Sequence, residues 1–374
     1  MKVLTIFGTR PEAIKMIPVI NELKKYGNIK SYLCVTGQHR EMLDQVLNLF
    51  NIVPDFDLNI MKNCQSLESI TVTIIEKLSP ILENIKPDYI LVHGDTSTSF
   101  IASLVAFYKQ IKIAHIEAGL RTYNLFSPFP EEANRHLTSV LANLHFAPTE
   151  EAKQNLLNEN IAKEMIYVTG NTVIDSLLLV KEKLNRQDIQ LDMQRRFPFI
   201  KKDVHTILIT THRRENQKHG IKNIATAIKY LSEKYPNLQF VLPLHLNPIV
   251  REPLQDILNT KNNIHLIEPQ EYLPFVYLMS SAHIILTDSG GIQEEAPALG
   301  KPVLLMRDTT ERPEAILAGA VKLVGSSCQN IINSFIALYE NPLEYKSMSN
   351  SKNPYGNGTA AKLIVTTLLN IKEN

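Results

Sequence analysis

Three acidic side chains in the first half of the chain stand where apolar runs end. Asp95 follows the run DYILVHG, Glu117 follows IKIAHI, and Glu131 lies in SPFPEEANRH at a proline-started helix terminus. Strand ends in one parallel sheet lie side by side, so the three carboxylates are expected to converge. Crowded acids acquire separated proton affinities, as an acid and a base acting in turn require. Taken singly, each acid is more often a helix cap or an ion-pair partner.

The stretch FGTRPEAIK (7–15) has the features of an anion-binding turn. Gly8 permits a tight strand-to-helix turn, and Pro11 suits the first helical position. The helix N-terminus would then present free N–H groups, and Arg10 and Lys15 add positive charge, which favours a phosphate or pyrophosphate. The alternative is a plain turn with solvated basic residues.

A second turn of this kind is TDSGGIQEEA (287–296). Ser289, Gly290 and Gly291 offer backbone N–H groups and a hydroxyl to an anion, and Glu295 lies one helical turn later, where it can accept hydrogen bonds from a ribose diol. Two such turns favour a nucleotide diphosphate. The dinucleotide fingerprint GxGxxG does not occur in the sequence, so nicotinamide chemistry is not expected.

Histidines add further candidates. In THRREN (211–216), His212 could donate to a phosphate oxygen, although an isolated histidine is more often structural. His93 and His115 lie next to the acids and would suggest a metal, but alternation along each strand points neighbouring side chains to opposite sides. We therefore expect neither a metal nor a cofactor. The DFD stretch (55–57) is interpreted as a polar edge strand rather than a metal motif.

The elements that must position these residues alternate along the whole chain. Short apolar runs are separated by amphipathic segments such as 11–26 and 66–85, which predicts parallel sheets covered on both faces by helices. The predicted strands are 2–8, 31–37, 88–94, 111–119, 144–149, 165–171, 205–212, 238–245, 264–269, 283–291, 302–308 and 320–325. We predict an α/β protein with two Rossmann-like domains whose sheets face each other across a cleft.

Length and composition agree with two domains. A chain of 374 residues exceeds the size at which single cores tend to stop growing. The charge-rich stretch 181–203 divides the strands six and six, so we predict domains at 1–170 and 171–358, with a C-terminal helix at 359–374 that crosses back to the first domain. The net charge of +1 argues against a nucleic-acid partner. Three widely spaced cysteines, with no long apolar stretch or signal peptide, indicate a cytoplasmic protein without membrane association.

Together these motifs closely resemble the non-hydrolysing UDP-N-acetylglucosamine 2-epimerases of bacteria and archaea. The resemblance runs end to end, through FGTRPEAIKM, TGQHREMLDQVL, LVHGDTSTSF, EAGLRT, SPFPEEANR, THRREN, HLNPIVRE, LTDSGGIQEEAP, GKPVLLMRDTTERPE and NPYGNG. It implies the two-domain architecture of many glycosyltransferases (GT-B type) and a homodimer. It also implies interconversion of UDP-N-acetylglucosamine and UDP-N-acetylmannosamine by elimination of UDP to 2-acetamidoglucal and re-addition, supplying a surface-polysaccharide pathway.

The resemblance also implies roles for individual residues. Asp95, Glu117 and Glu131 match the acid/base trio, and His212 matches a histidine that stabilises the leaving diphosphate. Which acid serves which face of the sugar ring stays open. Residues matching those around the diphosphate are Arg10, Lys15, Ser289, Gly290, Gly291 and Arg312. The uracil pocket is matched by Gln270 and Phe275, and the ribose contact by Glu295.

Two departures concern an allosteric UDP-N-acetylglucosamine site, which bacterial members build partly from a Gln-His-Arg-Gln stretch. Gln38, His39 and Arg40 match, but Glu41 follows, and an arginine of the same site falls at Cys64. A carboxylate and a thiol bind a phosphate-bearing ligand less well than an amide and a guanidinium. We expect weakened or absent allosteric activation.

Other functions remain open. A hydrolysing 2-epimerase would perform the same elimination but release UDP and free N-acetylmannosamine. A glycosyltransferase on this fold would need an acceptor site and no acid trio, and a UDP-sugar sensor would need no trio either.

Overall fold

A computed structural model describes residues 1–37, 40–61, 65–216, 220–259, 262–310 and 312–373. The chain divides into two compact units. Unit 1 comprises residues 1–176 together with 355–374, and unit 2 comprises 177–354. The described C-terminal helix thus belongs to the same unit as the N-terminal segment.

Unit 1 contains a parallel sheet of seven strands in the order β3-β2-β1-β4-β5-β6-β7. Apolar side chains fill its strands: all residues of β4, for example, are buried. The short strand β3 lies at the edge, as the polar DFD stretch predicts. The strands are β1 (Lys2–Phe7), β2 (Lys30–Val35), β3 (Phe56–Asp57), β4 (Tyr89–His93), β5 (Lys112–Ile116), β6 (Leu144–Ala147) and β7 (Ile166–Val168).

The helices α3, α4 and α6 of unit 1 begin at side-chain caps that the sequence supplies. Ser66, Thr96 and Thr149 each accept a hydrogen bond from an amide three residues on, at the starts of α3, α4 and α6. The helices of unit 1 are α1 (Arg10–Leu23), α2 (Arg40–Leu49), α3 (Leu67–Ile85), α4 (Ser97–Tyr108), α5 (Glu131–Leu141), α6 (Glu150–Asn158) and α16 (Ala360–Glu373). A 3₁₀ turn covers Lys163–Met165.

The last helix is anchored by a buried carboxylate. Asp175 accepts hydrogen bonds from the amides of Ala360 and Ala361, at 3.3 and 2.9 Å, at the start of α16. These donors are among the free N–H groups of a helix N-terminus. Asp175 lies in α7 (Thr172–Lys183), within which the boundary between the two units falls.

Unit 2 contains a parallel sheet of six strands in the order β10-β9-β8-β11-β12-β13. Its strands are β8 (Thr206–Thr210), β9 (Gln239–Pro243), β10 (Ile264–Ile267), β11 (Ala282–Thr287), β12 (Val303–Leu305) and β13 (Val321–Leu323). Its helices after α7 are α8 (Gln187–Arg196), α9 (Gly220–Lys234), α10 (Pro248–Leu258), α11 (Tyr272–Ser281), α12 (Gly290–Ala298), α13 (Pro313–Leu317), α14 (Cys328–Glu340) and α15 (Pro342–Ser349). A 3₁₀ turn covers Arg214–Asn216.

Both sheets have the Rossmann strand order, which confirms the predicted α/β class. In each, the first strand of the unit is flanked by its second and its fourth, so the strand order reverses between β1 and β4 and again between β8 and β11. Ligands of such sheets bind beyond the carboxyl ends of the strands at this reversal. The turns after β1, β4, β8 and β11 therefore define where the sites are expected. None of the described helices combines the length and hydropathy that crossing a bilayer requires.

Candidate active site and nucleotide-binding residues

The turns after β1 and β4 are joined by one buried carboxylate, that of Glu12. Its Oε2 accepts hydrogen bonds from the amides of Gly8 and Thr9, at 3.1 and 2.8 Å. Its Oε1 accepts from the hydroxyls of Thr96 and Ser99, at 2.7 and 3.1 Å. Burial raises the pKa of Glu12, and the hydrogen bonds from Thr96 and Thr9 act in the opposite direction. The FGTRPEAIK turn is thus held from within by a residue that the sequence analysis did not single out.

The two basic residues of this turn lie in different surroundings. Arg10 is half-buried at the first position of α1. Lys15, further along the helix, forms an ion pair with Glu117, and the two side chains are only 14% and 11% exposed. One of the predicted acids and one of the predicted anion-binding residues therefore contact each other.

Glu117 directly follows β5 and has an unusual backbone conformation, with φ of +60°. This left-handed backbone conformation is uncommon for residues other than glycine, asparagine and aspartate, and it recurs at functional sites. The Glu117 Oε2 accepts a hydrogen bond from Asn171 Nδ2 at 2.8 Å and lies 3.8 Å from His93 Nε2. A side-chain carbon added to Gly94 would lie 3.7 Å from Oε1, so the carboxylate stands beside the end of β4.

Asp95 follows Gly94 at the end of β4, the strand that pairs with β5. Its carboxylate is 29% exposed and accepts a hydrogen bond from Arg135 Nη2. Its backbone carbonyl accepts a hydrogen bond from Asn134 Nδ2 at 3.0 Å. Asp95 and Glu117 therefore end neighbouring strands, and each is charge-paired with a basic residue from a helix.

Glu131 and Glu132 open α5 in different environments. Glu132 is buried and accepts the amides of Thr122 and Tyr123 at 2.8 and 2.9 Å. Burial alone would raise its pKa, but the Thr122 amide and the Arg135 guanidinium outweigh this and hold the pKa below its ordinary value. Glu131 is half-buried and lies four residues before Arg135, on the same face of α5. Glu132 therefore has a structural role, whereas Glu131 lies on the same helix face as Arg135, which pairs with Asp95.

Two histidines in the middle of this sheet are buried and neutral. His115 Nε2 donates to the Gly94 carbonyl at 2.7 Å. Burial lowers the pKa of His115 to about 3, and the neighbouring His145 adds to the decrease. Burial, followed by the charge of Arg121, lowers the pKa of His145 to about 4. Among the residues that the structure describes, no group of three or more His, Cys, Asp or Glu side chains is arranged to hold a metal ion.

In unit 2 the turns after β8 and β11 are joined by Asp288, which is fully buried. Its carboxylate accepts the Thr211 hydroxyl at 2.8 Å and the amides of His212 and Arg213 at 3.0 Å. Asn216 Nδ2 donates to it at 3.0 Å. The THRREN segment is therefore wrapped around this one carboxylate.

His212 emerges from this network with its side chain 39% exposed. Its Nδ1 lies 3.4 Å from Asp288 Oδ1, and its ring stacks on that of His245 at 5.8 Å between centroids. Burial lowers the pKa of His212 despite the opposing charge of Asp288, and Arg213 contributes to the decrease. A neutral imidazole here has an N–H available to donate to an anion.

The start of α12 is flanked by two guanidinium groups. Ser289 is the N-cap residue, and Gly290 is the first helical residue. A side-chain carbon on Gly290 would lie 2.6 Å from Arg312 Nη1 and 3.1 Å from Arg213 Nη2, so a larger residue there would displace these guanidinium groups. Free N–H groups and two guanidinium groups together form a strongly anion-favouring site. Arg312 is held there by Glu294, which accepts from its Nε at 2.6 Å.

The remaining predicted ligand residues lie on α11, on α12 and in the loop before α11. Glu295 accepts a hydrogen bond from the Tyr272 hydroxyl at 3.0 Å, and a side-chain carbon on Gly291 would lie 3.9 Å from its Oε1. Phe275 is half-buried in α11. Gln270 Oε1 is buried and has no hydrogen-bond partner among the described residues. An acceptor in that state suits a ligand N–H.

Several residues of these arrangements were missed by sequence reasoning; they are Glu12, Arg135, Asn171 and Asp288. Asp288 and Asn171 had a local signal in the sequence. Each lies within three residues of the end of a strand, and each is next to a serine or a glycine. Glu12 and Arg135 are ordinary helix residues in sequence. The possible allosteric residues Gln38 and His39, and Cys64, lie outside the described residues.

Comparison with known proteins agrees with the motifs. A family model described as UDP-N-acetylglucosamine 2-epimerase matches residues 21–369. The UDP-N-acetylglucosamine 2-epimerase of Neisseria meningitidis serogroup A is 64% identical to this chain over 369 residues, covering 99% of each protein.

Solved structures give the same result. A crystal structure of UDP-GlcNAc 2-epimerase from Neisseria meningitidis bound to UDP-GlcNAc is similar with a TM-score of 0.91 and 64% identity, covering 99% of this chain and 100% of that one. The enzyme from Methanocaldococcus jannaschii, in complex with UDP-GlcNAc and UDP, has a TM-score of 0.80 and 35% identity over 99% of both chains.

Proposed function

The chain belongs to the UDP-N-acetylglucosamine 2-epimerase family, and we propose that it interconverts UDP-N-acetylglucosamine and UDP-N-acetylmannosamine without net hydrolysis. Carbon 2 of the sugar has no adjacent carbonyl to acidify its proton. A base therefore removes this proton while the anomeric carbon–oxygen bond breaks, which releases UDP and leaves 2-acetamidoglucal. UDP then adds back to carbon 1, and carbon 2 receives a proton on its opposite face.

The proposal depends mainly on one observation in a chain of this family: two acids follow neighbouring strands, and each forms an ion pair with a basic side chain. Asp95 is paired with Arg135, and Glu117 with Lys15. A positioned carboxylate at the end of a strand is suited to act as a general acid or base. We propose that Asp95, Glu117 and Glu131 exchange the carbon 2 proton, without assigning an acid to a face of the ring.

Stabilising the leaving diphosphate is assigned to unit 2. His212, Ser289, Gly290, Gly291 and Arg312 are proposed to hold its oxygens as negative charge develops on them, because preorganised donors act where charge appears. Arg213, beside Gly290, joins this set on the basis of its position. Arg10 and Lys15 remain proposed contacts of the diphosphate region.

The rest of the nucleotide is assigned to residues of α11, α12 and the preceding loop. Gln270 has a buried acceptor, which suits the N3–H of uracil, and Phe275 offers a ring face. Glu295 accepts from the ribose hydroxyls in the same way as it accepts from Tyr272. A homodimer, a cytoplasmic location and supply of a surface polysaccharide complete the proposal as expectations from the family resemblance.

The decisive experiment is incubation with UDP-N-acetylglucosamine in heavy water, followed by proton NMR. We expect UDP-N-acetylmannosamine with deuterium at carbon 2. Free N-acetylmannosamine and UDP would instead identify a hydrolysing enzyme, and binding without exchange would leave a transferase or a sensor.

Variants make the same assay specific for the acids. Asp95→Asn and Glu117→Gln are each expected to lower the exchange rate by about 10²–10⁴-fold, the usual contribution of a positioned acid or base. Glu150→Gln is the matched control, since its side chain is 76% exposed and lies in α6. Exchange at the natural rate in either acid variant would remove that residue from the mechanism.

A further inference from the structure

Unit 2 contains a cavity at the amino ends of β8 and β11, whereas the candidate nucleotide-binding residues follow the carboxyl ends of these strands. Its volume is about 540 Å³, within the range of small-molecule sites. His205 and Ala282, at the amino ends of β8 and β11, line it, whereas His212 and Ser289 follow the carboxyl ends of these strands. Nothing in the proposed reaction uses this cavity.

The charge of the cavity has a single sign. Lys201, Lys202 and Lys301 line it, and its described lining includes no acidic residue. In the part of the chain that the structure describes, none of these lysines forms an ion pair with a carboxylate. Burial lowers the pKa of Lys301, and the nearby Lys181 adds to the decrease. Lys301 is half-buried, whereas Lys201 and Lys202 are exposed. Three positive charges around one cavity attract an anion.

One wall of the cavity is a stack of rings. His205 and His283 are parallel with centroids 3.8 Å apart, and Tyr345 stacks on His283 at 4.1 Å. Tyr339 meets both imidazoles edge-on, at 5.9 and 6.0 Å. Burial, with contributions from His205 and Lys301, lowers the pKa of His283 to about 4. The central ring of this stack, His283, is therefore neutral at pH 7.

We propose that this cavity binds a small ligand carrying at least two negative charges, held by Lys201, Lys202 and Lys301. The rings of Tyr277 and Tyr345 lie against the body of the ligand. The volume accommodates a molecule of the size of a mononucleotide or a sugar phosphate. Phosphate and carboxylate groups share the required chemistry, since both accept charge-assisted hydrogen bonds from lysine.

Two measurements test this, and neither depends on the epimerase reaction. In crystals soaked with selenate, an anomalous peak is expected in the cavity for the natural protein and for Lys222→Gln, a control at an exposed position of α9. The peak should be lost in the double variant Lys201→Gln/Lys301→Gln. No peak in the cavity, or a peak that survives in the double variant, overturns the proposal.

Calorimetry with inorganic pyrophosphate and with citrate then distinguishes a phosphate ligand from a carboxylate one. The binding event assigned to the cavity is expected to weaken about tenfold or disappear in the double variant, and to stay as in the natural protein in Lys222→Gln. Any binding of pyrophosphate near Arg312 should persist in the double variant, which distinguishes it from binding in the cavity. A double variant that retained every binding event of the natural protein with unchanged affinity would contradict the proposal. Carbon 2 exchange should stay normal in this variant, so the proposed function and the cavity site stand or fall independently.

Discussion

Glu12 and Asp288 have the same structural role in the two units: each is a buried carboxylate that forms hydrogen bonds with both turns at the reversal of strand order. Glu12 joins the turns after β1 and β4 through the amide of Thr9 and the hydroxyl of Thr96. Asp288 joins the turns after β8 and β11 through the Thr211 hydroxyl and the His212 amide. Each carboxylate uses its oxygens on protein donors, so it positions a site rather than contacting a ligand.

Replacing Glu12 by glutamine should therefore disturb Asp95, which precedes Thr96. An amide nitrogen would face the donors of Thr9 or Thr96, and one unsatisfied buried donor costs about 1–3 kcal/mol. We expect a lower free energy of unfolding in guanidinium and a reduced kcat with a nearly unchanged KM. Glu76→Gln, at an exposed position of α3, is the control. If Glu12→Gln lost stability but kept its kcat, Glu12 would have no role in positioning Asp95.

The corresponding change in unit 2 should affect ligand binding. Asp288→Asn places an amide nitrogen against the donors of Thr211, His212 or Arg213, so the segment after β8 should move away from the start of α12. We expect UDP to bind about tenfold more weakly in calorimetry, equivalent to roughly 1.4 kcal/mol. Asp256→Asn, on the exposed surface of α10, provides the comparison. UDP affinity that stayed natural in Asp288→Asn would contradict this role.

The buried histidines of unit 1 predict that acid destabilises the fold. The pKa of His145 is about 4 when folded and about 6.5 when unfolded, so below pH 6.5 the unfolded state binds a proton that the folded state does not. Stability from this group is complete above pH 6.5 and is lost as the pH falls towards 4. His115, with a folded pKa of about 3, acts in the same direction.

Replacing His145 by phenylalanine isolates this effect. Among the described residues, neither ring nitrogen makes a hydrogen bond of ordinary geometry, so an apolar ring of similar size should fit. Between pH 7 and pH 5, the loss in free energy of unfolding should be smaller by about 2 kcal/mol than in the natural protein. Guanidinium denaturation followed by circular dichroism measures it, with the exposed His245→Phe as control. An equal pH dependence in His145→Phe and the natural protein would show that His145 does not resist protonation.

The fold was largely predictable from the sequence because its strands are buried on both faces. In DYILVHG, for example, residues 89–92 are apolar throughout, and every predicted run overlaps a strand of the structure. The DFD stretch was interpreted correctly as an edge strand because its charged residues do not suit the middle of a buried sheet. Helix ends were readable at Pro11 and Ser66, whose local chemistry decides them.

Partners within the site were less predictable, since they depend on contacts between distant parts of the chain. Lys15 appears in sequence as an anion ligand, yet it pairs with Glu117, 102 residues away. Glu131 and Glu132 are indistinguishable in SPFPEEANRH, and only the packing of Thr122 and Tyr123 shows that Glu132 is the buried one. The end of a strand can be predicted from nearby residues. Which side chains meet at that end depends on the order of the strands in the sheet.

The departures at Glu41 and Cys64 lead to a prediction about kinetics. Arg40, the last matching residue of the expected allosteric stretch, is held between Asp44 and Asp57, with its Nε 2.9 Å from Asp44 Oδ2. A guanidinium neutralised by two carboxylates attracts a phosphate weakly. We expect hyperbolic dependence of the initial rate on UDP-N-acetylglucosamine, with a Hill coefficient of about 1. The double variant Glu41→Gln/Cys64→Arg should raise this coefficient, and Glu41→Asp is the control that keeps the charge. Strongly sigmoidal kinetics in the natural protein would show that these two departures leave the allosteric site working.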